Sequence, residues 1–423
     1  MKEDIKQSPD ITQPSKNTLI EMYLETKYDF RYNSIKCKPE YRVLGDPNDF
    51  RPIDKYFLNS LKRELYTVVD INTSTTNLNE ILASSFSERV NPIQQYFRDL
   101  DDWDEETDYI SELSETVTVR NAEKWREYLE KWLVAVVANA MQDIGCQNHT
   151  CLVITGEQGK FKTTWLDNLC PKALKLYLFT GKIDPTNKDS LTYIAEFLFI
   201  NIDDQLRQLN KKDENELKNL ITTPAVKYRR PYDVYIQEYP HSASFMASIN
   251  GNDFLTDPSG SRRFLPFEAL NIDINAAKAL DMDKVWAQAY NKYMAGFNYW
   301  FTQEEVEELN ERNQEFMVSS LEEQFILKLY QKPSHRDAAL FKLQTGEILS
   351  ALQENSGLRL SQKRTGEALT QLGYEKFQVR VGESRKWVWA LDQKVATAEE
   401  ILEDVQSVNA KQTRLEVQSY MPF

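Results

Sequence analysis

The sequence predicts an α/β protein: an open sheet carrying a glycine-bearing loop of the kind that cradles phosphate, followed by a small helix, helix, hairpin unit. Three observations carry this. CLVIT (151–155) is an apolar strand run that leads into GEQGKFKTT and then a helical pattern. EFLFINIDD (196–204) and SASFMASIN (242–250) are further apolar runs that end in polar residues, as buried strands do. TGEILSALQENSG and SQKRTGEALTQLGYE then read as amphipathic helices before KFQVRVGESRKWVWALD, two strands joined through Gly382 and Glu383.

At 423 residues the chain is long enough for two or three domains with a large interior. No apolar run of about 18 residues is present, and the polar start MKEDIKQSPDITQPSK lacks the apolar centre of a signal peptide, so a soluble cytoplasmic protein with no membrane partner is expected. Cys37, Cys146, Cys151 and Cys170 show no CxxC spacing and only three histidines accompany them, which argues against a disulfide framework or a zinc site. The net charge of −14 argues against a protein coated in nucleic acid, though not against a lined channel. Much of the acidity is local, in DLDDWDEETD (99–108) and AEEILEDVQS (398–407), which read first as solvated surface.

In chain order, residues 1–16 lack periodicity and are expected to be a mobile arm. Residues 17–90 read as a small mixed α/β module: TLIEMYLETKYDFRYN passes from a helical pattern to alternating aromatics, and SIKCKPEYRVL continues as a strand after a turn. A helical region, 91–148, opens with Asn91 as cap and Pro92 at the first helical position. Within it, Trp125, Leu129, Trp132, Leu133 and Val136 recur at helical spacing and belong to a core. The α/β core spans 149–300, a charged helical connector 301–334, the helix, helix, hairpin unit 335–394 and an acidic tail 395–423.

The loop offers each part of a nucleotide triphosphate grip. Gly156, Glu157, Gln158, Gly159, Lys160 and Phe161 would present backbone N–H groups, Lys162 would contact the outer phosphates, Thr163 would ligate Mg2+, and Thr164 would follow in the first helical turn. Phe161 stands where the usual pattern has glycine. The plain alternative is a glycine turn between strand and helix. Some forty residues on, Asp203 would hold magnesium and Asp204 would act as general base, the alternative being a solvent-exposed strand end. Asn250 ends the third strand, where it could position water, although Asn-Gly is also a good turn.

Arg262 and Arg263 follow a Pro-Ser-Gly turn, from which a guanidinium could reach a neighbouring subunit's nucleotide; surface ion pairs are the plainer reading. Between the second and third strands, Lys227, Tyr228, Arg229, Arg230 and His241 lie among aromatics and suit a pore loop holding single-stranded nucleic acid, or equally a core-facing hairpin. Residues 335–394 carry ten Lys or Arg against seven Asp or Glu. Helix, helix, hairpin is a winged-helix order, with Gln362, Lys363, Arg364 and Thr365 on a recognition helix and Arg385 and Lys386 on a wing. Such units also bind proteins.

YDFRYN, NPIQQYFRDLDDWD, GEQGKFKTTWL, FLFINIDD, RRPYD and DPSGSRRFLPF, taken together between residues 17 and 300, resemble the virulence-associated protein E family, helicase-like ATPases of phages and mobile elements related to superfamily three helicases within the AAA+ class. The resemblance implies a ring, a hexamer or similar assembly, with sites between subunits that use ATP and Mg2+. Lys162, Thr163, Asp203, Asp204 and Asn250 would act in cis and Arg263 in trans, with Arg262 as runner-up. Priming would come from a separate primase or replication protein. Phe161 and Asp204 (the family's usual residue there is glutamate) depart from the pattern and leave room for a slow ATPase. The function expected is a DNA helicase or translocase. Its rivals are a nucleotide-gated assembly platform, as in phage defence, and a small-molecule kinase.

Overall fold

The computed structural model describes residues 14–46, 50–143, 145–230, 235–256, 261–382 and 384–394. Most of the expected N-terminal arm and all of the acidic tail (395–423) lie outside these residues, as do parts of RRPYD and DPSGSRRFLPF. The chain divides into two units, one ending at Met317 and the next starting at Val318. Among the described residues no helix is long and apolar enough to cross a membrane.

The first unit opens with a helix over Lys16–Glu25, capped by the Ser15 side chain, and a four-stranded sheet. In that sheet Tyr28–Asn33 pairs antiparallel with Lys38–Val43 and parallel with Glu88–Val90, and Arg51–Pro52 lies outside Lys38–Val43. Helices Lys55–Val69 and Thr75–Leu82 cover it through Phe57, Leu61, Leu65, Leu78 and Leu82. As the sequence indicates, Asn91 caps a helix, Pro92–Arg98, by accepting from the N–H groups of Ile93 and Gln94.

The central sheet has five parallel strands: β1 (Cys151–Thr155), β2 (Leu178–Gly181), β3 (Phe199–Asp203), β4 (Ser244–Ser248) and β5 (Phe264–Glu268), in the order β5-β1-β4-β3-β2. Every residue of β1 and β4 is buried, because both faces of the sheet are covered. Pro266 is accommodated because β5 is an edge strand, paired only with β1. This is a mixed α/β fold around a parallel sheet, compatible with a P-loop-like core.

One face packs against helix α1 (Ala122–Met141). Trp125 and Trp132 are fully buried there with Trp165 and Trp286, as their helical spacing indicates. Their indole N–H groups are not wasted: Trp125 donates to the Ser114 carbonyl at 2.9 Å, Trp165 to Thr116 Oγ1 at 2.8 Å and Trp286 to the Leu169 carbonyl at 2.9 Å. The other face carries Ile194, Leu217, Ile221 and Phe254. Helix α2 (Lys162–Asn168) follows β1 directly, and Asn201 in β3 pins it by donating to Asp167 Oδ1 at 2.8 Å.

The second unit has its own core of Ile326, Ile348, Leu352, Leu369, Trp389 and Leu391. Helix Leu321–Leu329 begins at a Ser320/Glu323 capping box. A strand, Phe341–Leu343, precedes helices Thr345–Ser356 and Gln362–Gln371, and the hairpin Lys376–Val381/Ser384–Gln393 follows.

Candidate functional site

The loop after β1, the end of β3 and the end of β4 meet at one edge of the sheet and enclose a cleft of about 300 Å3. Its walls are Gln158 to Thr164, Asp203, Asp204, Ser248 and Asn250. Strand β4 lies between β1 and β3, so Asn250, just past its tip, stands between the lysine and the two carboxylates.

Lys162 is buried, and its Nζ donates to the Gly156 carbonyl at 3.1 Å, the Glu157 carbonyl at 2.5 Å and Asn250 Oδ1 at 3.1 Å. Burial pulls its pKa down, and the charges of Asp204 and Asp203 oppose that pull. Asp204 Oδ1 in turn accepts from the Asn250 N–H at 3.1 Å. A second trio lies alongside. Thr163 Oγ1 donates to Asp203 Oδ1 at 2.8 Å, Ser248 Oγ donates to the same oxygen at 2.8 Å, and the two hydroxyls are 2.9 Å apart. Three hard oxygen donors so gathered fit a magnesium ion that keeps most of its waters. Among the described residues no group of three or more His, Cys, Asp or Glu is placed to hold a metal by itself.

Two backbone features shape the loop. Gly156 has φ +131, and a Cβ there would stand 2.8 Å from the Ala269 carbonyl oxygen. Gly156→Ala is therefore expected to lower stability by about 2–4 kcal/mol, read as a fall in the denaturation midpoint, because backbone on both sides must move. Phe161 adopts the left-handed conformation a glycine would take there, φ +59, with its ring 55% exposed. That conformation costs a side-chain-bearing residue about 1–2 kcal/mol. Phe161→Gly is expected to raise the stability of the isolated chain by about 1 kcal/mol, less than the full strain because glycine gains freedom when unfolded. A lower midpoint would show that the ring stabilises the chain by some other contact. Asp204 is also left-handed, φ +48, so the departures from the usual pattern both sit at strained positions of the cleft.

The remaining loop residues are peripheral. Glu157 and Lys160 form an exposed pair at 3.6 Å, and Gln158, Gly159 and Thr164 lie at the surface. Two residues emerge only from the structure. Ser248 looked like one more small residue in an apolar strand, yet it is the register partner of Asp203. Arg207 donates to the Asn250 carbonyl at 3.3 Å and steadies the end of β4.

Arg262 and Arg263 are not at this cleft. They precede β5, whose first residue pairs with Cys151, whereas the loop follows the last residue of β1. About five residues of parallel strand, roughly 16 Å, separate them from their own chain's loop. Arg263 is half-buried, its Nε has no partner among the described residues, and burial together with the charge of Arg262 pulls its pKa down.

The expected nucleic-acid residues fare differently. Lys227 and Arg229 are exposed on or beside the hairpin Ala225–Tyr228/Gln237–Pro240, with Lys227 3.5 Å from Glu238. Arg230 requires correction: its guanidinium donates to the Lys36 and Ile35 carbonyls at 2.8 and 2.7 Å and pairs with Glu196 at 3.1 Å, so it clamps the N-terminal module to the core. His241 is a core residue with both ring nitrogens against carbonyl oxygens, and burial pushes its pKa down to about 4. In the second unit Gln362, Lys363, Arg364, Arg385 and Lys386 are exposed. Thr365 is instead fully buried and donates to the Ser361 carbonyl, so it cannot face a groove.

The family model of the virulence-associated protein E-like domain matches residues 97–318. No curated protein sequence matches the chain. Among solved structures, the apo structure of the NrS-1 C-terminal region (305–718) is 12% identical, covers 90% of this chain and 100% of its own, and superposes with a TM-score of 0.50. Two A-form apo structures of the same region are each 14% identical; one covers 86% of this chain and 88% of its own with a TM-score of 0.44, the other 89% and 99% with 0.45. At such identities the first likeness is one of fold.

Proposed function

Since the chain belongs to the virulence-associated protein E-like family, we propose that it is a Mg-ATP-driven, ring-forming DNA translocase or helicase, acting in the cytoplasm to support replication of a mobile element or phage. The observation that carries this reading is the convergence of Lys162, Asn250 and Asp204 beside Thr163, Ser248 and Asp203 in a single cleft. On this reading the loop backbone from Gly156 to Phe161 receives the phosphates, and Lys162 leaves its carbonyl partners for the β and γ oxygens. Thr163 and Asp203 would hold Mg2+, with Ser248 orienting both, and the ion would supply positive charge that neutralises the phosphate oxygens. Asp204 accepts the proton of the attacking water, and Asn250 positions that water.

Arg263, too far from its own cleft and with no partner at Nε among the described residues, is assigned to the nucleotide of a second copy, with Arg262 as its alternate. That supports an AAA+ ring over a kinase, whose site would be complete within one chain. We assign the second unit to the winged-helix class, with Lys363 and Arg364 on the groove-facing helix and Arg385 and Lys386 on the wing. Lys227 and Arg229 would meet single-stranded DNA from the hairpin. A separate primase or replication protein would supply primers.

Strand separation decides between motor and platform. On a forked DNA duplex with Mg-ATP the protein is expected to release the displaced strand, and Lys162→Ala is not. An assembled, ATP-hydrolysing ring that leaves every fork intact would favour the assembly platform.

A further inference from the structure

At the opposite end of the sheet from the loop, a second cavity of about 400 Å3 surrounds Arg262 and Arg263. Gln147, His149, Tyr299 and Trp300 also line it, and among the described residues that line it none is a carboxylate. Trp300 is 59% exposed, with its ring packed edge-on against Tyr299 at 5.4 Å. The Tyr299 hydroxyl donates to Gln147 at 3.1 Å, which fixes the aromatic wall. The cavity thus offers cations, one with a buried Nε that has no partner among the described residues, next to an apolar surface whose Trp300 is exposed.

The loop cleft is its complement. Its carboxylates Asp203 and Asp204 are balanced by Lys160 and Lys162, so a bound nucleotide's phosphates would make it net negative, and at its rim stands the exposed Phe161 ring, held outward by a left-handed backbone. A hydrophobic ring that is both strained and solvated is a poor feature of a lone chain and a good anchor for an interface. We propose that the ring interface places the Phe161 side chain of one copy in the Tyr299/Trp300 cavity of the next, so that the same contact that seats the ring brings Arg263 to the phosphates. The occupant is a second copy of this chain, because the two faces lie at opposite ends of one sheet and the phosphates of a nucleotide in the cleft would supply the negative charge that Arg262 and Arg263 lack among the described residues of their own cavity. A head-to-tail contact of that kind generates a ring when its rotation closes, which is the assembly proposed above. This rests on the trans role of Arg263 proposed above. It also gives Phe161 a reason to stand where glycine is usual: the strain is offset on assembly.

The test uses the full chain with photoreactive benzoylphenylalanine in place of Phe161, mixed with isotope-labelled chain in Mg-ATP. Illumination is expected to join it to the peptide holding Tyr299 to Phe301 of the other copy. In parallel, Trp300→Ala should raise the concentration for half-assembly at least about tenfold by mass photometry, the size of a typical interface anchor. Its binding of a fluorescent ATP analogue as a monomer should match wild type. Crosslinks mapping elsewhere, together with unchanged assembly of Trp300→Ala, would overturn this interface and leave the ATPase reading standing. A wild-type chain that neither binds the analogue nor assembles would overturn both.

Discussion

Lys162→Ala is expected to lose ATP turnover by about 10²–10³-fold, the scale on which removal of a single charge-stabilising donor is felt. Lys162 is the buried cation of the cleft, and in the free protein it is parked on two loop carbonyls and Asn250. Those partners are weak competitors for it. Neutral carbonyls hold an ammonium less strongly than a phosphate does, so bound nucleotide can draw the side chain forward without a large rearrangement. The substitution also leaves the Gly156 and Glu157 carbonyls without their donor, so a modest loss of stability should accompany the loss of turnover. Thermal unfolding separates the two: a cooperative transition within a few degrees of wild type together with lost hydrolysis places the effect in the chemistry. Unimpaired hydrolysis by Lys162→Ala would remove the cleft from consideration.

Arg263→Ala is expected to lose more, about 10³–10⁵-fold, the range associated with an arginine supplied to a phosphoryl-transfer site. Here nucleotide binding by the monomer should persist, since Arg263 lies a full strand length from its own chain's cleft. Removing a half-buried guanidinium whose Nε has no partner among the described residues should also leave the chain at least as stable as wild type. The sharpest form of the test mixes the two inactive chains. Lys162→Ala supplies an intact Arg263 and Arg263→Ala an intact cleft, so mixed assemblies should regain part of the turnover. No recovery despite mixed assembly would mean that the arginine serves the fold of its own chain.

The cleft shows where sequence reasoning reaches and where it stops. Strand, loop and helix around Gly156 to Thr164 were legible because a short apolar run, two glycines and a Lys-Thr pair follow a fixed spacing that local sterics enforce. Asp203 and Asp204 were legible because they close an apolar run interrupted only by Asn201. Ser248 was not, since its importance lies in a register across two strands that are adjacent in space and forty-odd residues apart in sequence. The backbone strain at Phe161 was legible only as a substituted glycine; that the phenylalanine keeps the glycine conformation is a property of the loop closed onto Ala269 and Gly251. Arg230 and Thr365 misled for a common reason. Composition marks a residue as polar, but it does not reveal that carbonyls at Ile35, Lys36 or Ser361 are waiting to consume its donors. The parallel pairing of β5 with β1 is likewise a nonlocal fact, and it puts Arg263, just before β5, at the far end of the sheet from the loop it follows by about a hundred residues.

The most direct measurement is ATP hydrolysis by the purified chain with and without single-stranded DNA, beside Lys162→Ala, while mass photometry follows assembly. The account predicts turnover that appears with assembly, rises when DNA is added and vanishes in the variant. Hydrolysis by a monomer, indifferent to DNA, would contradict it.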